Sequence, residues 1–298
     1  RQVRIMRKIR KNKGKTGIAV CAALGMVIGC TALFSSLAEA AAAVDMGGIQ
    51  TIPTAYTLPA SAENRTVPEG YQKAAYTVVA DPLEYYQDKK PTEKDLTQEE
   101  AAEIGAQLLW KLFGVKLDGA TIYMGYDTGT YTFPRASWNG DVRFGKSRTP
   151  ADTGYSFSID AVTGEGFSAA YGRTLSVTVD LGPDKALAQN PSEYSKLAKA
   201  LAEKANLVNG EVRECIYNCQ GYGSNDPDIT IDVIGVNGQK ASLTFSRYDK
   251  ALKGVGLPAG TEINEMVDKI FEQEAANWAE SAGKDAREGE PSEILQAR

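Results

Sequence analysis

From Tyr155 to Tyr171 the chain reads YSFSIDAVTGEGFSAAY, and its apolar positions alternate. Tyr155, Phe157 and Ile159 fall on one side, and Phe167, Ala169 and Tyr171 do the same after a break. A period of two marks a half-buried strand. The stretch therefore predicts two strands joined by the turn Ala161-Val162-Thr163-Gly164, whose glycine can take the left-handed conformation. The layout returns 74 residues on, counting from Tyr155 to Ile229. There Ile229, Ile231 and Val233 alternate, Asn237-Gly238 supplies a turn, and Ala241, Leu243 and Phe245 follow.

Each hairpin is preceded by a helical pattern. Over Thr97–Phe113 the residues Ala101, Ile104, Leu108 and Leu112 form one apolar stripe, Thr97 and Glu100 make a capping box, and Gly114 stops the run. Strand-like runs follow at Thr121–Tyr126 and Tyr131–Trp138, then a turn region through Asp141 to Phe144, and a last alternation at Leu175, Val177 and Val179. The second pattern starts at Asn190-Pro191, read as an N-cap with proline at the first helical position. Tyr194, Leu197, Leu201 and Ala205 line its face up to Gly210, and strands are predicted at Glu211–Gln220, Asp228–Ile234 and Lys240–Tyr248. A final helix begins near Thr261 with the stripe Ile263, Met266, Val267, Ile270 and Phe271. The expected fold class is α+β: two units, each a helix over a three-stranded antiparallel sheet, spanning 96–182 and 183–280. Residues 41–95 carry Pro53, Pro59, Pro68, Pro82 and Pro91 without helical period and read as a linker with one strand at Ala75–Ala80; 281–298 read as a polar tail.

The N-terminal pattern differs. Residues 1–15 hold eight Lys or Arg and no acid, and Thr16–Ala38 carries no charge. A run of 23 uncharged residues is long enough to cross a bilayer, and the basic flank favours the cytoplasmic side, which places the body outside. Segment 16–40 is open to three readings: a retained anchor, a signal cut after Ala38-Glu39-Ala40, or a lipoprotein signal with lipidation at Cys30 in Val27-Ile28-Gly29-Cys30. Without its head the chain has 25 basic and 38 acidic residues, which argues against nucleic acid as a partner of the body. No histidine is present, so Ser-His-Asp and Cys-His catalysis and HExxH zinc chemistry are excluded.

The remaining chemistry is weighed against ordinary structure. Asp127-Thr128-Gly129 and Asp152-Thr153-Gly154 resemble a catalytic aspartate pair, but the second follows Thr149-Pro150-Ala151, and both read as turns. Cys215 and Cys219 on one strand would share a face about 13 Å apart at ~3.3 Å per residue, too far for a disulfide unless the strand is distorted. Asn225, Asp226, Asp228 and Asp232 have oxygen density for calcium without the closing glutamate of an EF-hand, and read as a solvated turn. Neither a cofactor nor a metal is expected.

The segment Ile159-Asp160-Ala161-Val162-Thr163-Gly164-Glu165, at a strand end behind a helix, resembles the PepSY and YcdB-like extracytoplasmic domains over residues 97–171, with a weaker repeat over 190–248. Asp160, Thr163 and Gly164 match that turn; Asn237 and Gly238 stand in the second, which lacks the Asp-Ala pair. The block Arg4-Ile5-Met6-Arg7-Lys8-Ile9-Arg10 resembles the stretch before the last membrane span of BlaR/MecR-type membrane metallopeptidase sensor-transducers. These resemblances imply a non-catalytic sensor or regulator at the membrane, with a peptidase, a signalling protein or a cell-wall component as partner. An Asp/Glu-based cell-wall hydrolase and a surface spacer are the competing classes. Aromatic density nominates Arg135, Trp138, Tyr155 and Phe157, on the first unit's sheet, as the surface that binds.

Overall fold

A computed structural model of the chain describes residues 66–130, 133–145 and 153–288. The basic head, the apolar run with Cys30, residues 41–65 of the linker, Tyr131 and Asp152 lie outside the described residues. Among those described, no helix is long and apolar enough to cross a membrane.

The described residues form a mixed α+β structure with five helices and one nine-stranded sheet. Strand β1 (Thr77–Ala80) and the short helix α1 (Glu84–Gln87) precede helix α2 (Gln98–Phe113). Four strands follow: β2 (Ala120–Asp127), β3 (Ser137–Phe144), β4 (Gly154–Asp160) and β5 (Gly166–Gly172). The second half repeats the order. A short helix α3 (Lys185–Gln189) leads into α4 (Ser192–Lys204), then β6 (Val212–Gly221), β7 (Asp228–Gly235), β8 (Lys240–Ser246) and β9 (Leu252–Gly256), before the long helix α5 (Pro258–Glu288).

The sheet runs β1-β2-β3-β4-β5-β9-β8-β7-β6. Strands β2–β5 and β6–β9 each run in chain order and the two sets meet last strand to last strand, while β1 adds a parallel ninth strand beside β2. Ala169 pairs with Val255, flanked by Ser168 with Gly256 and Ala170 with Gly254. That register is self-consistent: within the halves Ser158 pairs with Ser168 as Thr244 pairs with Gly254, and Phe157 with Ala169 as Leu243 with Val255. Residues 86 apart (169 to 255) are therefore equivalent across β4–β5 and β8–β9, and a pseudo-twofold axis passes between Ala169 and Val255. The pairing pattern repeats, but the hairpin that matches β4–β5 in register is β8–β9, not the stretch 74 residues on, which is β7–β8.

Four sequence expectations are corrected. Each unit has four strands, not three; β9, Leu-Lys-Gly-Val-Gly, offers too few apolar side chains for its period to be seen. Residues 141–144 belong to β3, because Trp138, Gly140 and Val142 face the core together. Residues 175–179 form no strand. Pro191, not Asn190, is the N-cap of α4, and no side chain caps it.

Both α2 and α4 pack on the same face of the sheet. Ile122, Met124, Trp138, Phe157, Ile159 and Ala169 make the core under α2. Ile229, Ile231, Val233, Ala241, Leu243, Phe245 and Val255 make the core around α4. Each such aliphatic or aromatic side chain contributes about 1.5–3 kcal/mol when fully buried. Leu108 and Leu112 of α2 touch both cores, so the two units share their apolar interior. The capping box at Thr97 forms as expected, and Gly114 closes α2 in the left-handed conformation.

Candidate functional site

The turn Asp160–Glu165 is built by its aspartate. Asp160 is fully buried; its Oδ1 accepts the Val162 and Thr163 N–H groups, and its Oδ2 lies 2.6 Å from Arg135 Nη2. Gly164 donates to Asp160 O with φ of +62°, and Asp160 N donates to Glu165 O. The second unit repeats the backbone bonds of this turn. Lys250 donates to Ser246 O with φ of +63°, Ser246 N donates to Ala251 O, and Tyr248 N donates to Ser246 Oγ. Ser246 thus replaces Asp160, and Lys250 stands in the left-handed place that glycine takes in the first unit. This substitution hid the repeat. Asn237-Gly238 instead joins β7 to β8, with Gly238 at φ +83°.

Buried charge is shared across the repeat. Ser137 pairs with Asp160 in the sheet as Asp228 pairs with Ser246, so Arg135 and Asp226 occupy equivalent places two residues upstream. Asp226 is fully buried; it accepts from Ser246 Oγ at 2.5 Å and from Arg173 Nε at 2.8 Å. Arg173 also grips Asp249 with both terminal nitrogens, at 2.8 and 2.7 Å. That grip holds the Asp249 carboxyl down at about 2. Because Arg173 follows β5 and its partners belong to the second unit, the cluster ties the halves together. Lys253 completes it, reaching Asp228 Oδ2 at 3.0 Å. The stretch expected as a solvated turn is instead partly buried, with Asp226 inside and Asp228 and Asp232 on β7; Asp232 accepts from Asn218 and Ser242. Among the described residues, no group of three or more Cys, Asp or Glu is arranged to hold a metal.

The four residues nominated for binding do not form a surface. Trp138 is buried and donates its indole N–H to Leu96 O at 2.8 Å. Phe157 is buried with its ring against Gly105 of α2 and Gly140 of β3, where a Cβ would come within 2.1 and 2.2 Å. Tyr155 is half-buried, stacked on Tyr171 with ring centroids 4.9 Å apart. Arg135 serves Asp160 and lies over the Phe167 ring, 5.1 Å from its centroid. Aromatic density here built a core, since alternation cannot say which face a helix will cover. Asp127 is a turn and bracing residue: its Oδ1 accepts Gly129 N–H and Lys89 Nζ, and its Oδ2 accepts the Tyr85 hydroxyl.

Neither Cys215 nor Cys219 forms a disulfide, and both are half-buried. They do not share a face. Cys215 lies opposite Val233 and Tyr217 opposite Ile231, but the register slips after Tyr217 and Cys219 lies opposite Thr230. The bulge at Asn218 turns Cys219 to the side away from the core, while Cys215 packs into it, and burial raises the Cys215 thiol pKa.

The second unit has a groove of about 490 Å³ between α3, the start of α4 and the Ser246–Ala251 turn. Leu187, Tyr194, Pro227, Arg247 and Tyr248 line it. Arg247 donates to Gly182 O at 2.9 Å, holding the loop before α3 beside it. Sequence reasoning missed Arg173, Arg247 and Tyr248. The available signal was the alignment of LTFSRYDKA with FSIDAVTGE, visible once residues 243 and 157 are set together.

The fold and these sites define a duplicated helix-on-sheet protein with one fused sheet. No family model matches the chain, and no curated protein matches it. Among solved structures, the Bacillus megaterium YpeB C-terminal domain aligns at 10% identity with a TM-score of 0.34, over 56% of this chain and 65% of that one.

Proposed function

We propose that the chain is a non-catalytic binding or regulatory domain of the PepSY-like kind, held on the outer side of a membrane by residues 16–38, and acting on a peptidase, a signalling protein or a cell-wall component. The observation that carries this reading is how the buried carboxylates are used. Asp160 organises a turn and Asp226 a junction, and each faces cationic or hydroxyl partners at 2.5–2.8 Å. A general acid needs a carboxyl whose proton is free to leave toward a substrate; these are committed to the scaffold. With no histidine in the chain, the acids are also the main proton-transfer groups available near neutral pH.

Two measurements test the reading. Protease added to intact cells carrying the full chain is expected to digest the body and spare the basic head; full protection of the body would refute an external location. Purified full chain mixed with cell-wall glycan and peptide substrates is expected to leave them intact. Turnover that disappears on substituting one Asp or Glu would refute the non-catalytic assignment.

A further inference from the structure

The two units use the same turn differently. In the first, Leu96 N–H donates to Ala161 O at 2.7 Å, and Ala161 N–H donates to Ala136 O. The segment before α2 therefore lies directly on the turn, and the Trp138 indole fixes it by bonding Leu96 O. Ala161 is fully buried beneath it. The equivalent of Ala161 is Arg247, whose N–H donates to Pro227 O, the equivalent of Ala136. The backbone is thus the same at this point, and Arg247 O stands where Ala161 O accepts an amide. Among the described residues, no backbone N–H takes that acceptor.

Two changes open the second copy. An arginine replaces the small alanine, and its guanidinium reaches back to Gly182 O, holding the incoming chain off the turn. Between Asp184 and α4 the chain also inserts α3, whereas only Leu96 separates Asp95 from the Thr97 cap of α2. Asp184 is tied through its backbone to the Gln220 side chain of β6 by two hydrogen bonds, much as Asp95 accepts from Tyr126 of β2. The entry to each helix is therefore anchored alike, and the gap lies where Leu96 sits in the first copy. The groove is lined by Arg247, the equivalent of Ala161, and by Tyr248, which is 55% exposed.

We propose that this groove docks an extended peptide that carries one aliphatic side chain, taking the place that Leu96 holds in the first unit. A peptide N–H donates to Arg247 O, and the aliphatic side chain packs against Leu187, Tyr194 and Tyr248. The acids at the rim are internally committed, Asp184 to the Leu187 N–H and Glu193 to Lys250, so recognition rests on backbone and apolar contact and requires no charged peptide. This inference rests on the binding role proposed above and names the class of its ligand.

The chain supplies the probe. A blocked heptapeptide of its own residues 91–97, PTEKDLT, carries a fluorophore and is titrated with the full chain in detergent, alongside versions with Ile, Val or Asp in place of the leucine. Saturable binding is expected for the aliphatic versions and loss of roughly tenfold or more for Asp, about 1.4 kcal/mol per factor of ten. Tyr248→Ser, at an exposed position, is expected to weaken binding several-fold while thermal unfolding stays unchanged. Arg247→Ala is expected to abolish it by letting the entry segment close. Absence of binding by every version, or binding indifferent to both the leucine and Tyr248, overturns the groove. Cleavage of a bound peptide leaves the groove standing and overturns the non-catalytic role.

Discussion

At the residue scale the tightest constraint is a pair of glycines around one ring. Gly105 lies inside α2, where glycine ordinarily costs about 1 kcal/mol against alanine. Here the sign reverses, because a Cβ would come within 2.1 Å of the Phe157 ring. Gly105→Ala is expected to destabilise by about 1–3 kcal/mol, read as a lower thermal midpoint, and Phe157→Leu is expected to restore part of the loss in the double variant. A gain from Gly105→Ala alone would show that α2 does not sit so close to β4. Charge makes a second case. Arg135→Met leaves the buried Asp160 carboxylate without its cation and is expected to cost about 3–5 kcal/mol in denaturant unfolding. Adding Asp160→Ser, the residue that the second unit carries at Ser246, is expected to return most of it, since Ser246 Oγ accepts a turn N–H with no carboxylate to neutralise.

At the scale of the element, the two sheet-covering helices begin differently. Thr97 accepts the Glu100 N–H and the Glu100 carboxylate accepts Thr97 N–H, whereas α4 starts without a side-chain cap. Thr97→Ala is expected to cost about 0.5–2 kcal/mol; the check is the shift in unfolding midpoint, with Pro191→Ala as the comparison expected to move it less. Bulges are equally informative. One shifts the register between Ser158 and Ile159, and its counterpart lies between Thr244 and Phe245. They leave Phe167 and Lys253 as the extra residues. Phe167 joins Ile263 and Val267 of α5, while Lys253 serves the Asp226 cluster. One geometric device thus seats a helix in one copy and a charged junction in the other.

At the scale of the whole molecule, the shared sheet and the Leu108 and Leu112 contacts couple the units. A single cooperative transition in urea, coincident by far-ultraviolet circular dichroism and tryptophan fluorescence, is expected; two separated transitions would show that the units fold independently. The Arg173 grip predicts an acid limb. Asp249 sits at about 2 in the folded state, below its ordinary 3.8, mainly through its hydrogen bonds to Arg173. The unfolded chain therefore binds the proton first as pH falls, so this stabilisation is complete above about pH 4 and fades toward pH 2. Arg173→Gln is expected to flatten the dependence of thermal midpoint on pH across that window. An unchanged acid limb would place the junction's stability elsewhere.

The sequence by itself determined the three longer helices, most strands and the turn chemistry. These follow from local rules: the apolar stripe of Thr97–Phe113, its capping box, the alternation in β4, β7 and β8, and the aspartate that folds back on its own turn. The sequence also excluded histidine chemistry outright. What only the tertiary structure decided was partnership. Alternation marks two faces but not which one a helix covers, so Trp138 and Phe157 became core. A single bulge reverses every later side chain in a strand, which separated Cys215 from Cys219. The true repeat step could be read only from pairing across the pseudo-twofold axis, because strand register is a relation between distant residues that no local pattern encodes.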